Sequence, residues 1–294
     1  MGTFIGTPDA DTITTGFVSA GVGVMFEGDA PSDGDDSIYG YAGSDTLGGG
    51  GGNDTIDGGE GGDTIDGGTG SDTIRGGPGD DFILGKTPGL SDATDCDLIY
   101  GDDGNDVIFG NGGEHDGYSA DGADRIYGGA GDDGLYGKLG DDLLYGGDGN
   151  DTLGGYYGCD VLFGQNGADR LIGRHDADRL NGGAGNDIYE YVAVTDSTPS
   201  AQDSISNFDG VGAPAGDRIS LARIDADPGA SGDQAFVFIG TAEFTGPGQV
   251  RVTDLGPHTL VQANTNDSPE PELQILVKDG AAHAGEWVAG DFIL

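Results

Sequence analysis

The sequence predicts an all-β protein, a stack of very short parallel strands followed by an antiparallel β segment. Three observations predict it. An Asp returns every nine residues, as in GGEGGDTIDGGTGSDTIRGGPGDDFILG (58–85), where Asp63, Asp72 and Asp81 each stand two residues before one aliphatic side chain. Glycine supplies 63 of the 294 residues, about three times its usual ~7% share. Near residue 190 the glycine period stops, and apolar runs separated by Gly, Pro, Asn and Asp follow.

Composition sets the outer limits. The formal net charge is −42, from 53 acidic and 11 basic residues. Such a charge repels nucleic acid and anionic membrane and favours cations. An acidic, glycine-rich chain is disordered by default, because it cannot bury enough apolar surface to offset its entropy. The strict period argues against that default. No apolar run is long enough to span a membrane. The opening MGTFIGTPDADTIT lacks the basic and apolar regions of a secretory signal peptide. An initial Met so close to a repeat-like Asp argues for a whole reading frame, although a cloned fragment could carry the same Met. Cys96 and Cys159 lie several repeats apart, too far for a disulfide in a regular stack, so two thiols are expected.

Taken in order, the first repeat is an isolated copy, GTPDADTIT, with Asp11. A regular series runs through Asp36, Asp45, Asp54, Asp63, Asp72 and Asp81. Asp97 and Asp106 follow an irregular segment, and a second series runs through Asp124, Asp133, Asp142, Asp151, Asp160, Asp169, Asp178 and Asp187. Each unit reads G-G-x-G-x-D-x-U-x, with U aliphatic: Ile38, Leu47, Ile56, Ile65, Ile74 and Ile83, then Ile126, Leu135, Leu144, Leu153, Leu162, Leu171 and Leu180. One apolar residue in nine cannot make an amphipathic helix, which needs three or four per two turns. It suits a strand x-U-x with its middle side chain inward. The other six residues then form a tight turn, where glycines at positions one, two and four allow backbone angles that a Cβ obstructs.

Two units make an 18-residue coil with a strand on each side, so units n and n+2 stack roughly 4.7–4.9 Å apart. Carboxylates that close repel one another unless a cation lies between them. Ca²⁺, with six to eight oxygen ligands, accepts mixed carboxylates and carbonyls better than Mg²⁺.

This nonapeptide resembles the RTX repeat of calcium-binding proteins, over roughly residues 6 to 190. The resemblance implies a right-handed parallel β-roll. It also implies that each position-six Asp binds calcium with its counterpart two repeats on, helped by carbonyls of positions two and four. Asp11 and the Asps of both series, with Asp97 and Asp106, become candidate ligands for about ten or more ions, about +20 of charge. Metal binding is then folding energy, and the calcium-free chain is expected to be largely unfolded.

The register breaks near 85–96 and 110–123. In the second break His115 falls where the Asp belongs. His115 with Asp116, and His175 with Asp176, read as degenerate turns rather than catalytic pairs. Outward positions carry Tyr127, Tyr145 and Phe163 beside Leu143 and Val161. This apolar stripe is either an interface or is covered by the chain's own C-terminal segment. Thr46, Thr55, Thr64 and Thr73 form an outward row that strand preference explains.

Residues 1–190 are thus read as the roll and 191–294 as a capping domain. Its strands are AFVFIG (235–240), GQVRVTDL (248–255), TLVQANT (259–265) and ELQILVKDG (272–280). STPSAQDSISNFDGVGAPAGDRISLARIDA with these strands and the terminal DFIL resembles the C-terminal domain of serralysin-type secreted metalloproteases. Alginate epimerase R-modules share the DxIxxFD…DRISL passage. The resemblance implies an uncleaved type I secretion signal at Asp291-Phe-Ile-Leu294, and one further calcium on Asp196 and Asp203. The protease's H-E-x-x-H is missing: His115, His175, His258 and His283 form no such motif, and neither a G-x-S-x-G elbow nor a P-loop occurs.

The reading is a non-enzymatic calcium-binding module, secreted by a type I system, extracellular or at the cell surface, with a structural or adhesive role. Its expected partners are calcium ions, the secretion machinery, and a cell surface or polysaccharide, with no nucleic acid and no membrane span. The alternative is a calcium-binding and secretion module of, or accessory to, a secreted hydrolase or polysaccharide-modifying enzyme. A pure calcium buffer is a third.

Overall fold

The computed structural model describes residues 3–5, 12–14, 17–18, 33–86, 95–111, 122–213, 215–278 and 284–294. The chain forms two compact units, residues 1–153 and 154–294. Among the described residues there is no α-helix, and so none long and apolar enough to cross a membrane.

In the first unit, successive strands alternate between two parallel sheets. One holds Ser37–Ala42, Thr55–Glu60, Thr73–Arg75, Leu98–Asp103, Arg125–Ala130 and Leu143–Asp148. The other holds Thr46–Gly51, Thr64–Thr69, Phe82–Lys86, Val107–Asn111 and Gly134–Leu139. The aliphatic positions pair in register: Ile38 with Ile56, Ile56 with Ile74, Leu47 with Ile65, Ile65 with Ile83. Their side chains are fully buried and form the core between the sheets. Each such Ile contributes about 1.5–3 kcal/mol of burial, which is what fixes this one inward position. The outward Thr46, Thr55 and Thr64 are exposed. A short copy, Thr12–Thr14, pairs with Thr46–Gly51 through Ile13 and Leu47.

The two breaks leave this register intact. Ile74 pairs with Ile99, Ile83 with Ile108, Ile99 with Ile126, and Ile108 with Leu135. Residues 87–94 and 112–121, with His115 and Asp116, lie outside the described residues.

In the second unit, Val161–Asn166, Arg179–Ala184, Asp203–Ser206 and Leu273–Lys278 form a parallel row. Leu273–Lys278 then pairs antiparallel with Thr259–Asn264, and that strand with Gln249–Asp254. The parallel sheet therefore passes directly into an antiparallel one. Val237–Phe238 departs from the expected antiparallel pattern and runs parallel to Gln249–Asp254. Arg170–His175, Ile188–Glu190, Arg218–Ser220 and Phe292–Ile293 make the opposing parallel row. Tyr189 takes the inward position usually held by Ile or Leu, and its hydroxyl accepts a hydrogen bond from Gly182 N at 2.8 Å. Phe208, Trp287 and Phe292 pack in series, with centroids 5.0 and 5.5 Å apart.

Candidate metal centre

The strand register places the position-six aspartates in two rows, one along each edge of the first unit. On one edge Asp36 N donates to Asp54 Oδ1, and Asp54 N to Asp72 Oδ1, each at 2.7 Å. Asp72, Asp97, Asp124 and Asp142 continue the row at 2.8–2.9 Å. On the other edge Asp45, Asp63, Asp81, Asp106, Asp133 and Asp151 are linked at 2.7–2.9 Å. In the second unit the links run Asp160 to Asp178 to Asp203, and Asp169 to Asp187 to Asp217. Partners are 18 residues apart in the regular series, and 25 or 27 across the two breaks.

These links use only Oδ1. The other carboxylate oxygen, Oδ2, is buried without a hydrogen-bond donor in Asp54, Asp63, Asp72, Asp81, Asp106, Asp133, Asp178, Asp187 and Asp203. Buried polar atoms are otherwise almost always paired. Beside Asp54, Asp63, Asp72, Asp81, Asp106 and Asp133 lies a cradle of oxygen. A Cβ built on Gly58 would meet Asp63 Oδ2 at 2.3 Å and the Gly76 carbonyl oxygen at 2.6 Å. At Gly49 the corresponding atoms are Asp54 Oδ2 at 2.2 Å and Gly67 O at 2.4 Å. Position one is therefore glycine for room, which corrects the backbone-angle reading at that position. Positions two and four do carry positive φ, as at Gly59 (103°) and Gly61 (128°). Position two also takes Tyr41, Asp102, Lys138, Tyr156, Gln165 and Arg174, all with φ near +80°.

Electrostatics favour a cation in these turns. Burial pushes Asp54, Asp81 and Asp106 up to about 7, and Asp72 and Asp178 to about 9, against the backbone N–H that each accepts. Asp203 lies well above the usual carboxylate range for the same reason. Orphaned anionic oxygens, neighbouring carbonyls and a shortage of cationic side chains fit a hard divalent cation.

A second ladder, which the sequence reading missed, runs through position five. Asn53 N donates to Asp35 Oδ1 at 2.9 Å, Ser71 N to Asn53 Oδ1 and Cys96 N to Ser71 Oγ, both at 3.0 Å. Asn150, Asp132, Asn105 and Asp80 do the same on the other edge. The legible signal was the recurrence of Asp, Asn and Ser just before the repeat Asp.

Asp11 lies outside the described residues. Asp203 joins the row, but Asp196 does not: its Oδ2 accepts from Val192 N and Ala193 N at 2.7 and 3.1 Å. Asp217 was missed, although DRIS repeats the D-x-U pattern. Its Oδ1 accepts from Asp187 N, and its Oδ2 from Asp209 N at 2.8 Å, so that rung is closed by protein donors. His175 stacks on Tyr157 at 4.4 Å. Tyr100, Tyr127 and Tyr145 stack face to face, 5.0 and 4.9 Å apart, on an outer face of the first unit. Cys96 and Cys159 are exposed thiols.

Stacked short strands with a row of buried carboxylates in each line of turns define a repetitive acidic β-solenoid. Residues 32–56, 57–87, 97–114, 118–153 and 154–189 match the RTX calcium-binding nonapeptide repeat (4 copies). Through these repeats the chain belongs to the RTX family, whose repeat binds calcium, and the fold is its parallel β-roll. The chain is also similar to two solved subunits of the Azotobacter vinelandii mannuronan C5-epimerase. AlgE6R3 is 23% identical with a TM-score of 0.30, the match covering 58% of this chain and 78% of that one. AlgE6R2 is 23% identical with a TM-score of 0.28, over 58% and 92%. No curated protein sequence matches the chain.

Proposed function

We propose that the chain is a secreted, non-catalytic calcium module that folds as calcium fills its turns. The ladder aspartates hold the ions in pairs two repeats apart, with carbonyls of positions two and four, and about ten or more ions bind. The observation that carries this reading is the row of buried Oδ2 atoms without donors, those of Asp54, Asp63, Asp72, Asp81, Asp106 and Asp133 each facing a glycine-bounded cradle of oxygen. With a formal charge of −42, the chain without ions is strongly self-repelling.

Folding that waits for calcium suits export through a type I system. Calcium is scarce inside cells and abundant outside, where modules of this kind bind at about 10⁻⁴–10⁻³ M. In the folded state Asp291 is buried, its carboxylate accepting from Gly212 N and Val288 N, and Phe292 is paired in the sheet. A secretion signal at Asp291-Phe-Ile-Leu294 is then readable only before folding. Residues 191–294 cap the roll by turning its parallel sheet into an antiparallel one. The outward row Tyr100, Tyr127 and Tyr145 supports a structural or adhesive role outside the cell.

The test is far-UV circular dichroism during calcium titration from chelator, with magnesium as control. A cooperative gain of β signal in calcium alone is expected. A chain already folded in chelator at neutral pH would sink the proposal.

A further inference from the structure

Lys86 stands at a position that glycine holds in the neighbouring coils. The register runs Gly50 to Gly68, Gly68 to Lys86 and Lys86 to Asn111, so Lys86 holds position two of its turn. Its side chain is fully buried, as is that of Asp95, and Lys86 Nζ lies 3.5 Å from Asp95 Oδ2. Asp95 precedes the ladder residue Asp97 by two positions, and Asp97 Oδ1 accepts from Asp72 N at 2.8 Å. The charges of Asp97, Asp54 and Asp95 all bear on Asp72. One turn thus gathers a buried ammonium and buried carboxylates.

A buried ammonium is costly unless paired, and a lysine head is a compact point charge. The turn that buries it is also the one lengthened by the first break, where ladder partners are 25 residues apart instead of 18. Here Asp95 replaces the position-four glycine, and the lysine stands at position two of the same turn.

We infer that the Lys86 ammonium takes the place of a calcium ion in the turn carrying Asp97. The ion row along Asp36, Asp54, Asp72, Asp97, Asp124 and Asp142 is interrupted there by a cation that belongs to the chain. This rests on the proposed calcium role of the ladder carboxylates. The first break is then a calcium-independent clasp between two calcium-dependent runs.

Crystals of the wild-type chain grown in calcium and measured at long wavelength locate the ions directly. Anomalous peaks are expected in the turns of Asp54 and Asp72, and none within coordination reach of Lys86 Nζ. A peak in the Asp97 turn overturns the inference. Peaks in none of the turns overturn the calcium assignment itself, and with it the substitution. Lys86→Gly, which restores the glycine of the repeat, provides the second measurement. Native mass spectrometry of the calcium-saturated full chain is expected to count one ion more than wild type. An unchanged or lower count in folded Lys86→Gly overturns the inference, and if that variant does not fold, the wild-type anomalous map decides alone.

Discussion

Removing calcium at different pH values separates the two charges the fold must handle, its own carboxylates and the ions that neutralise them. Burial raises Asp54, Asp81 and Asp106 from 3.8 to about 7 in the absence of metal. Each shift is about three pH units, or about 4 kcal/mol at ~1.4 kcal/mol per unit. Together the three oppose folding by about 12 kcal/mol once ionised, and by about 6 kcal/mol if solvent relaxation halves the effect. A whole domain is stable by only about 5–15 kcal/mol. Because the folded values are raised, the folded state binds protons more tightly. The stability this confers is complete below the unfolded carboxylate value near 3.9 and is lost as pH rises through about 7. In chelator, β signal by circular dichroism is therefore expected at about pH 5 and strongly reduced at about pH 8. Calcium should restore it at about pH 8, and the calcium midpoint should rise as pH falls, because protons and ions compete for the same oxygens. Equal β content at the two pH values in chelator would refute this reasoning.

Two further predictions test the turn geometry. Gly58→Ala drives a Cβ against Asp63 Oδ2 at 2.3 Å and the Gly76 backbone at 2.6 Å; overpacking of this kind costs about 1–3 kcal/mol, read as a lower thermal midpoint in calcium. Gly246→Ala, with nothing within 4 Å of the new Cβ, should leave that midpoint unchanged, and equal effects of the two substitutions would contradict the cradle. Asp217→Ala strands the backbone donors of Asp187 and Asp209, at about 1–3 kcal/mol for each buried group. Its calcium count by mass spectrometry should equal that of wild type, since both of its oxygens already have protein donors, and the loss of an ion would show that Asp217 is a ligand.

The sequence alone determined the repeating part of the molecule. One inward aliphatic residue in nine, such as Ile56 or Ile65, leaves a short strand no other face to bury. An 18-residue coil then brings Asp36 to Asp54 and Asp45 to Asp63 with no further information. Both conclusions follow from local spacing, so they are legible wherever the spacing holds. The tertiary structure decided what happens where it fails. Strand pairing, rather than counting, carries Asp72 to Asp97 and Asp187 to Asp217, because a turn can lengthen without shifting the strands it joins. Asp196 and Asp203 look alike in sequence, but only Asp203 starts a strand that pairs with the roll, while Asp196 is spent on the backbone of its own turn. The Lys86–Asp95 pair closes a lengthened turn that spacing does not predict, and the position-one cradle around Gly58 is a contact between different coils. A sequence names the residues on each coil; which atoms face one another across the stack is settled only when the coils are laid together.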